Sequence, residues 1–545
     1  MAKIIPLKKY SFLILLFLIS TTLFAQKAEK IVVEYSEFLD VNQTEVPDAV
    51  LVYGNVRVAH DGILMYCNKA YWFQKENYIK AFGNIRMVQG DTITLTSTYA
   101  EYNGENKLAY ANGNVVMTSP SSNLRTETLY FDRNTQQASY KTGGTITDKE
   151  NVLKSQSGVY LVQQKMYQFR NAVTITNPKY VIKTNHLDYY ENSGHAYLFG
   201  PSTITSKENY IYTEKGFYNT KLNKAHFVKN SYIKYNNRLI QGDSLYYDRN
   251  IEFASATRNV KVTDSINKSI VKGHYGEVYR LKDSLMMTKR AVAMTLVDQD
   301  TLYVHGTKLI ITGKPEERIV RAFKNVRFYK TDMSGKCDSL HSSEKLGLTK
   351  LIGRPVMWNQ ENQMTGDVMH LISNKETEKL DSLKVLNNTF LIAKDTLGTG
   401  YNQIKGQNLY GKFRDNKLYE VDIVKNTEVI YYMRNDEDEL VGIDKSKSSQ
   451  INMTLIDNQI ETLTFFQRAE GIMYPETELP ENARKLRGFI WRGDERIRSK
   501  DDIFPPEENE YEQKMIEEKK TEVDQENLPL EVRKETLDAI KNKKK

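Results

Sequence analysis

The sequence predicts an all-β protein, an elongated stack of about 13 repeats of roughly 29 residues followed by a polar C-terminal tail. Two of the three observations behind this are matters of spacing. Ala109, Ala138, Ala196, Ala225 and Ala254 fall on multiples of 29, with Tyr167 in the vacant slot. Tyr102, Tyr130, Tyr160, Tyr189, Tyr218 and Tyr247 recur every 28 to 30 residues. Self-similarity at such a period marks a stacked array in which each unit buries its apolar face only against its neighbours. The third observation is composition. The chain holds 35 Tyr and 20 Phe, while only five Pro (Pro120, Pro178, Pro201, Pro315, Pro355) fall between Val50 and Tyr474. Proline cannot donate to a sheet ladder, so its scarcity suits extensive strand pairing.

Taken from the start, residues 1–25 read as a secretory signal peptide. Lys3, Lys8 and Lys9 precede the apolar run Phe12–Ile19, and a small-residue end closes at Ala25. Its removal lowers the formal charge from +7 to +4, a balance that does not suggest a nucleic-acid binder. The apolar run is shorter than the ~20 residues a membrane span needs. Export is the expected fate.

Residues 31–474 form the repeat domain. Its recurring box is Gly54-Asn55-Val56-Arg57-Val58, Gly83-Asn84-Ile85-Arg86-Met87, Gly113-Asn114-Val115-Val116-Met117 and Asn171-Ala172-Val173-Thr174-Ile175. Later copies are Asn259-Val260-Lys261-Val262 and Asn325-Val326-Arg327-Phe328. The Gly-Asn pairs read as turns, since both residues tolerate positive φ. The apolar alternation that follows puts alternate side chains on one face of a strand. In the unit Asn106–Asn134 a second strand covers Leu124–Phe131, so each repeat is two strands joined by polar corners, with no room for a helix. A parallel β-helix and an antiparallel folded roll both satisfy this pattern; the 29-residue period favours the two-strand zigzag. Two rungs per repeat at ~4.8 Å give a stack on the order of 120 Å.

Residues 475–545 change character. From Glu476 onward 35 of 70 residues are charged, and Glu507–Lys520 and Leu530–Lys541 read as short solvated helices. Composition suits a disordered solubilising tail, whereas Gly488-Phe489-Ile490-Trp491-Arg492 suits a segment that docks on something.

Signals for chemistry are few. Cys67 and Cys337 are too far apart in sequence and too few for a disulfide framework. Of the eight His, only His186 and His195 are placed to meet across a hairpin, and no zinc-ligand spacing or nucleophile motif occurs. Neither a catalytic centre nor a cofactor is expected.

The Gly-Asn boxes, together with Gly90-Asp91-Thr92-Ile93, Gly242-Asp243-Ser244-Leu245 and Gly366-Asp367-Val368-Met369, resemble the OstA family over about Ile31–Tyr474. That family includes the lipopolysaccharide transport protein LptA and the N-terminal domain of LptD. Repeat number and tail look like the long OstA-like proteins of Bacteroidota. The resemblance implies that the stack is an antiparallel β-jellyroll, or β-taco, folded into a trough, with lipid A acyl chains inside it and other transport proteins joined through edge-strand pairing. It implies a carrier moving lipopolysaccharide toward the outer membrane, in the periplasm or at that membrane. Carried over position by position, the trough-lining residues are Val56, Val58, Ile85, Met87, Val115, Met117, Val173, Ile175, Val260, Val262, Val326 and Phe328. The rival reading is a structural or glycan-binding β-solenoid spacer with a sealed interior. The chain is much longer than the compact bridging protein and lacks the barrel of the outer-membrane member.

Overall fold

The structure, a computed structural model, describes residues 29–526 apart from 42–43, 45, 92, 298, 378 and 457–458. The signal-peptide segment and the expected helix Leu530–Lys541 lie outside the described residues. What is described is almost wholly antiparallel sheet, with one α-helix, Pro506–Glu526. Two compact units are present. One holds the described residues up to Lys207 together with Glu214–Leu222; the other holds Glu208–Thr213 and everything from Asn223 on.

The Gly-Asn boxes are not turns between strands. They are corners within single strands, which corrects the sequence reading. Tyr78–Gln89 runs straight through Gly83 and Asn84, and its register against Ile93–Asn103 slips between Phe82 and Ile85. Gly83 and Asn84 have φ of 75° and 46°. Two left-handed residues with an unpaired register step make a β-bulge, which bends a strand without ending it. Asn55, Asn114, Asn171, Asn259, Asn325, Asn388 and Asn426 repeat the positive φ at their own corners. The chain actually reverses elsewhere, at polar turns such as Asp61-Gly62 and Gly104–Lys107.

Each long strand therefore contributes to two leaves. Tyr78–Phe82 and its equivalents carry the alanine and tyrosine boxes and build one leaf, here the Tyr leaf. Ile85–Gln89 and its equivalents carry the Val/Met boxes and build the Val leaf. Both inner faces are buried: Ile79 and Ala81 on the Tyr leaf, Ile85 and Met87 on the Val leaf. Chain reversals alternate between the two outer rims, and residues from opposite rims make direct contact, so the leaves fold toward each other across the corner.

After the last strand, Glu470–Tyr474, the chain turns back as a strap over the outer surface of the Val leaf of its own unit. Leu479 and Leu486 are buried against Phe390, Ile392, Ile430, Tyr432 and Ile443. Two buried glutamines clamp its backbone. Gln403 donates to the Arg484 carbonyl and accepts from the Leu486 N–H, both at 2.8 Å. Gln363 does the same for Ile490 and Arg492, at 2.8 and 2.7 Å.

Candidate functional site

Within each unit the feature that recurs from strand to strand is the interior between the leaves, and its lining is built from the repeat. At the apex, the first inward residue past each corner pairs with a small one: Val56 with Cys67, Ile85 with Ser97, Val173 with Thr184, Val260 with Gly273, Val326 with Cys337. A small partner leaves room for the leaves to close on one another. This explains the lone cysteines. Burial pushes the Cys67 thiol up to about 11 and that of Cys337 to about 12, so both stay protonated and unreactive.

All twelve residues singled out from the sequence lie on the inner face of the Val leaf and are buried. Val56, Val58, Ile85, Met87, Val115, Met117, Val173 and Ile175 belong to the first unit, and Val260, Val262, Val326 and Phe328 to the second. Met65, Met87, Leu95 and Met117 are consecutive rungs of one ladder. Facing them across the interior, the Tyr leaf carries Ala70, Ala81, Ala100 and Ala111 on consecutive rungs. Sequence reasoning assigned this second wall no role, although the alanine and tyrosine periods marked it.

The tyrosine period has a geometric cause. Along its ladder the order is Tyr102, Ala109, Phe131, Ala138, Tyr160, and later Tyr189 against Ala196, then Ala225, Tyr247, Ala254. Each alanine makes space for the ring beside it. Tyr130 departs from this ladder: it is half exposed, and Phe131 fills the inward slot, because side chains alternate along the strand.

The ring hydroxyls and the turns beyond them close the mouth. In the first unit, Tyr102 bonds the ring of His60 on the opposite rim at 2.8 Å, and Lys107 and Arg133 meet Asp61 at 2.6 and 3.3 Å. The hydrogen bond from Lys107 holds the Asp61 carboxyl below its ordinary value. Gln89 reaches Gln136 at 3.1 Å, Tyr189 donates to Asp148 at 3.1 Å, and the hydroxyls of Ser122 and Tyr167 lie 3.0 Å apart. Ser122 and Tyr160 also share the buried Glu191 carboxylate, at 2.6 and 2.9 Å. In the second unit, Asn209–Tyr247 at 2.6 Å and Asp264–Arg318 at 2.8 Å span the same gap.

The interior is therefore lined mainly by apolar side chains and shut by polar ones. A cavity of about 40 Å³ beside Tyr235, Arg238, Asp264 and Arg318 has the size of one or two waters. The histidine pair read from the sequence is not brought together: His186 stacks on Phe199 with ring centroids 4.5 Å apart, and His195 meets Asn219 at 3.3 Å. Among the described residues no group of three or more His, Cys, Asp or Glu could hold a metal ion.

Residues 28–185 match the family model for OstA-like protein. No curated protein matches the chain. Among solved structures, similarity extends to LptH of Pseudomonas aeruginosa, titled the LptA homologous periplasmic component of the conserved lipopolysaccharide transport device. Identity is 12%, 27% of this chain and 99% of that chain are covered, and the TM-score is 0.20. Over residues 28–185, less than a third of its length, the chain is similar to the OstA-like family.

Proposed function

We propose that the protein is a non-catalytic periplasmic carrier for lipopolysaccharide, whose acyl chains enter the interior between the Val and Tyr leaves on their way toward the outer membrane. The observation that carries this reading is the contrast between lining and closure. The walls are apolar from repeat to repeat, whereas the rims are held by hydrogen bonds and ion pairs between side chains. Hydrogen bonds and ion pairs of this kind, several of them buried, are each worth on the order of 1–3 kcal/mol. Shielding an acyl chain gains ~0.8 kcal/mol per methylene, so a 14-carbon chain offers on the order of 10 kcal/mol. The gain exceeds the cost of parting a few rim contacts. Similar lining at each repeat gives a guest no single deep trap, which suits passage over storage.

The edge strands provide for transport partners. Val32–Tyr35 and Phe38–Asp40 each pair on one side only among the described residues, and Val32, Tyr35, Phe38 and Leu39 are exposed there. Ile472 and Met473 are exposed on the last strand. Strand addition at either edge would join this chain to other components of a transport route.

The spacer reading rests on the packed interior. Incubating the purified chain with lipopolysaccharide and with its chemically deacylated form, then separating by size, distinguishes the two. A carrier retains the intact lipid and not the deacylated one. Retention of neither, or of both equally, removes the carrier reading and leaves the spacer.

A further inference from the structure

The outer surface of the Val leaf differs between the two units, and the second shows what the first is equipped to hold. In the second unit the outward ladder next to the corners runs Lys261, Lys272, Val292, His305, Arg327, Lys336. Its basic groups from His305 onward are met by the acidic strap. Lys336 pairs with Glu495 at 3.2 Å, and Arg327 donates to the carbonyls of Asp502 and Phe504 at 3.3 and 3.4 Å. The helix Pro506–Glu526 then sets Glu508 3.7 Å from His305, and Glu512 2.5 Å from His274 and 3.4 Å from Arg290.

The equivalent ladder of the first unit runs Arg86, Thr96, Val116, Arg125, Thr145, Lys154, Thr174, Lys183, Thr203 in unbroken register. Arg86 stands two residues past its corner asparagine, as Lys261 and Arg327 do. Arg86, Arg125, Lys154 and Lys183 are exposed, and among the described residues none makes an ion pair, Arg86 lying over the Tyr66 ring 5.8 Å from its centroid. No Asp or Glu occurs on this ladder or on the outward ladder beside it, which carries Val88, Thr94, Thr118, Asn123, Thr147, Val152, Thr176 and Val181. Four cations at every second or third strand lie roughly 10 to 14 Å apart. Carboxylates two to three turns apart on a helix, at ~5.4 Å per turn, match that spacing.

We propose that the outer face of the Val leaf in the first unit, along Arg86, Arg125, Lys154 and Lys183, docks an acidic polypeptide segment of a partner protein, in the manner of the chain's own strap on the second unit. Charge complementarity favours such a segment, and the molecule already holds one on the matching ladder. The interior plays no part in this surface, so the proposal stands apart from lipid carriage.

The test uses the full mature chain and a labelled peptide of the sequence Pro506–Glu526 as probe. Binding measured by fluorescence anisotropy is expected to weaken as salt is raised. In a variant carrying R86Q, R125Q, K154Q and K183Q together it should weaken by about tenfold or more, since exposed charge pairs are individually small but here act in number. A control variant carrying K75Q, K179Q, K207Q and K229Q, at basic positions off this ladder, should bind as the parent does. Circular dichroism and the unfolding midpoint report whether each variant is folded. Absence of binding at 50 mM salt, or equal affinity in the ladder variant and the parent, would overturn the proposal. So would a variant that loses binding to phosphatidylglycerol vesicles while keeping the peptide, because the face would then serve a membrane surface.

Discussion

Ala100 is fully buried, between Ala81 and Ala111 on neighbouring strands and opposite the methionine ladder. Its size sets how closely the leaves approach. Ala100→Leu should cost about 1–3 kcal/mol by overpacking, read as a shift in the denaturant midpoint. Asp61 makes the sign of a pH effect explicit. Its carboxyl titrates below the ordinary 3.8 because Lys107 donates to it, so its contribution is complete above that value and is lost as the pH falls through the lowered one. Asp61→Asn should flatten the acid limb of the stability profile below about pH 4, with little change in its shape near pH 7. At this scale much was legible. The Val/Met boxes identified the inward residues of one leaf correctly because period-two alternation is local. The partners of those residues across the mouth were not legible, since Asp61 meets Arg133 through the fold and not through any spacing. That Tyr130 faces outward beside inward Phe131 was not legible either, because a one-residue step inverts the face and a period of 28 to 30 does not resolve one residue.

For the elements, the Gly-Asn corner is the informative error. Glycine and asparagine announce positive φ, but whether that φ ends a strand or bends it depends on the neighbouring strand continuing past the corner. A single sequence does not carry that information. The strap was only half visible for a related reason. Phe390-Leu391-Ile392 and Val429-Ile430-Tyr431-Tyr432 are unbroken apolar runs where earlier repeats alternate, which signals burial on both faces but not what provides the second cover. Tail residues provide it. Gln403→Ala would leave the Arg484 carbonyl and the Leu486 N–H without their partner, a loss of about 1–3 kcal/mol borne by strap docking. Limited proteolysis should then cut within 479–505 faster than in the parent, while the strands resist. Ending the chain at Tyr474 should uncover Phe390, Ile392, Ile430 and Ile443 and raise dye binding to exposed apolar surface.

At the scale of the whole molecule the same plan appears in each unit: two leaves that meet at a small-residue apex, an apolar interior and rims fastened by polar side chains. Apolar walls need only burial, and a packed core would satisfy that. The functional reading adds that the rims part for a guest. The buried thiols give one view of such parting: Cys67 and Cys337 should react with a thiol reagent only as fast as the leaves open, and lipopolysaccharide should change that rate. Site-resolved crosslinking gives the most direct view. With a photoreactive residue placed at Val115 or Val260 in cells, the carrier account predicts adducts with lipopolysaccharide, and none from the outward neighbours Arg86 and Lys261. Adducts confined to Arg86 and Lys261, with Val115 and Val260 silent, would contradict it.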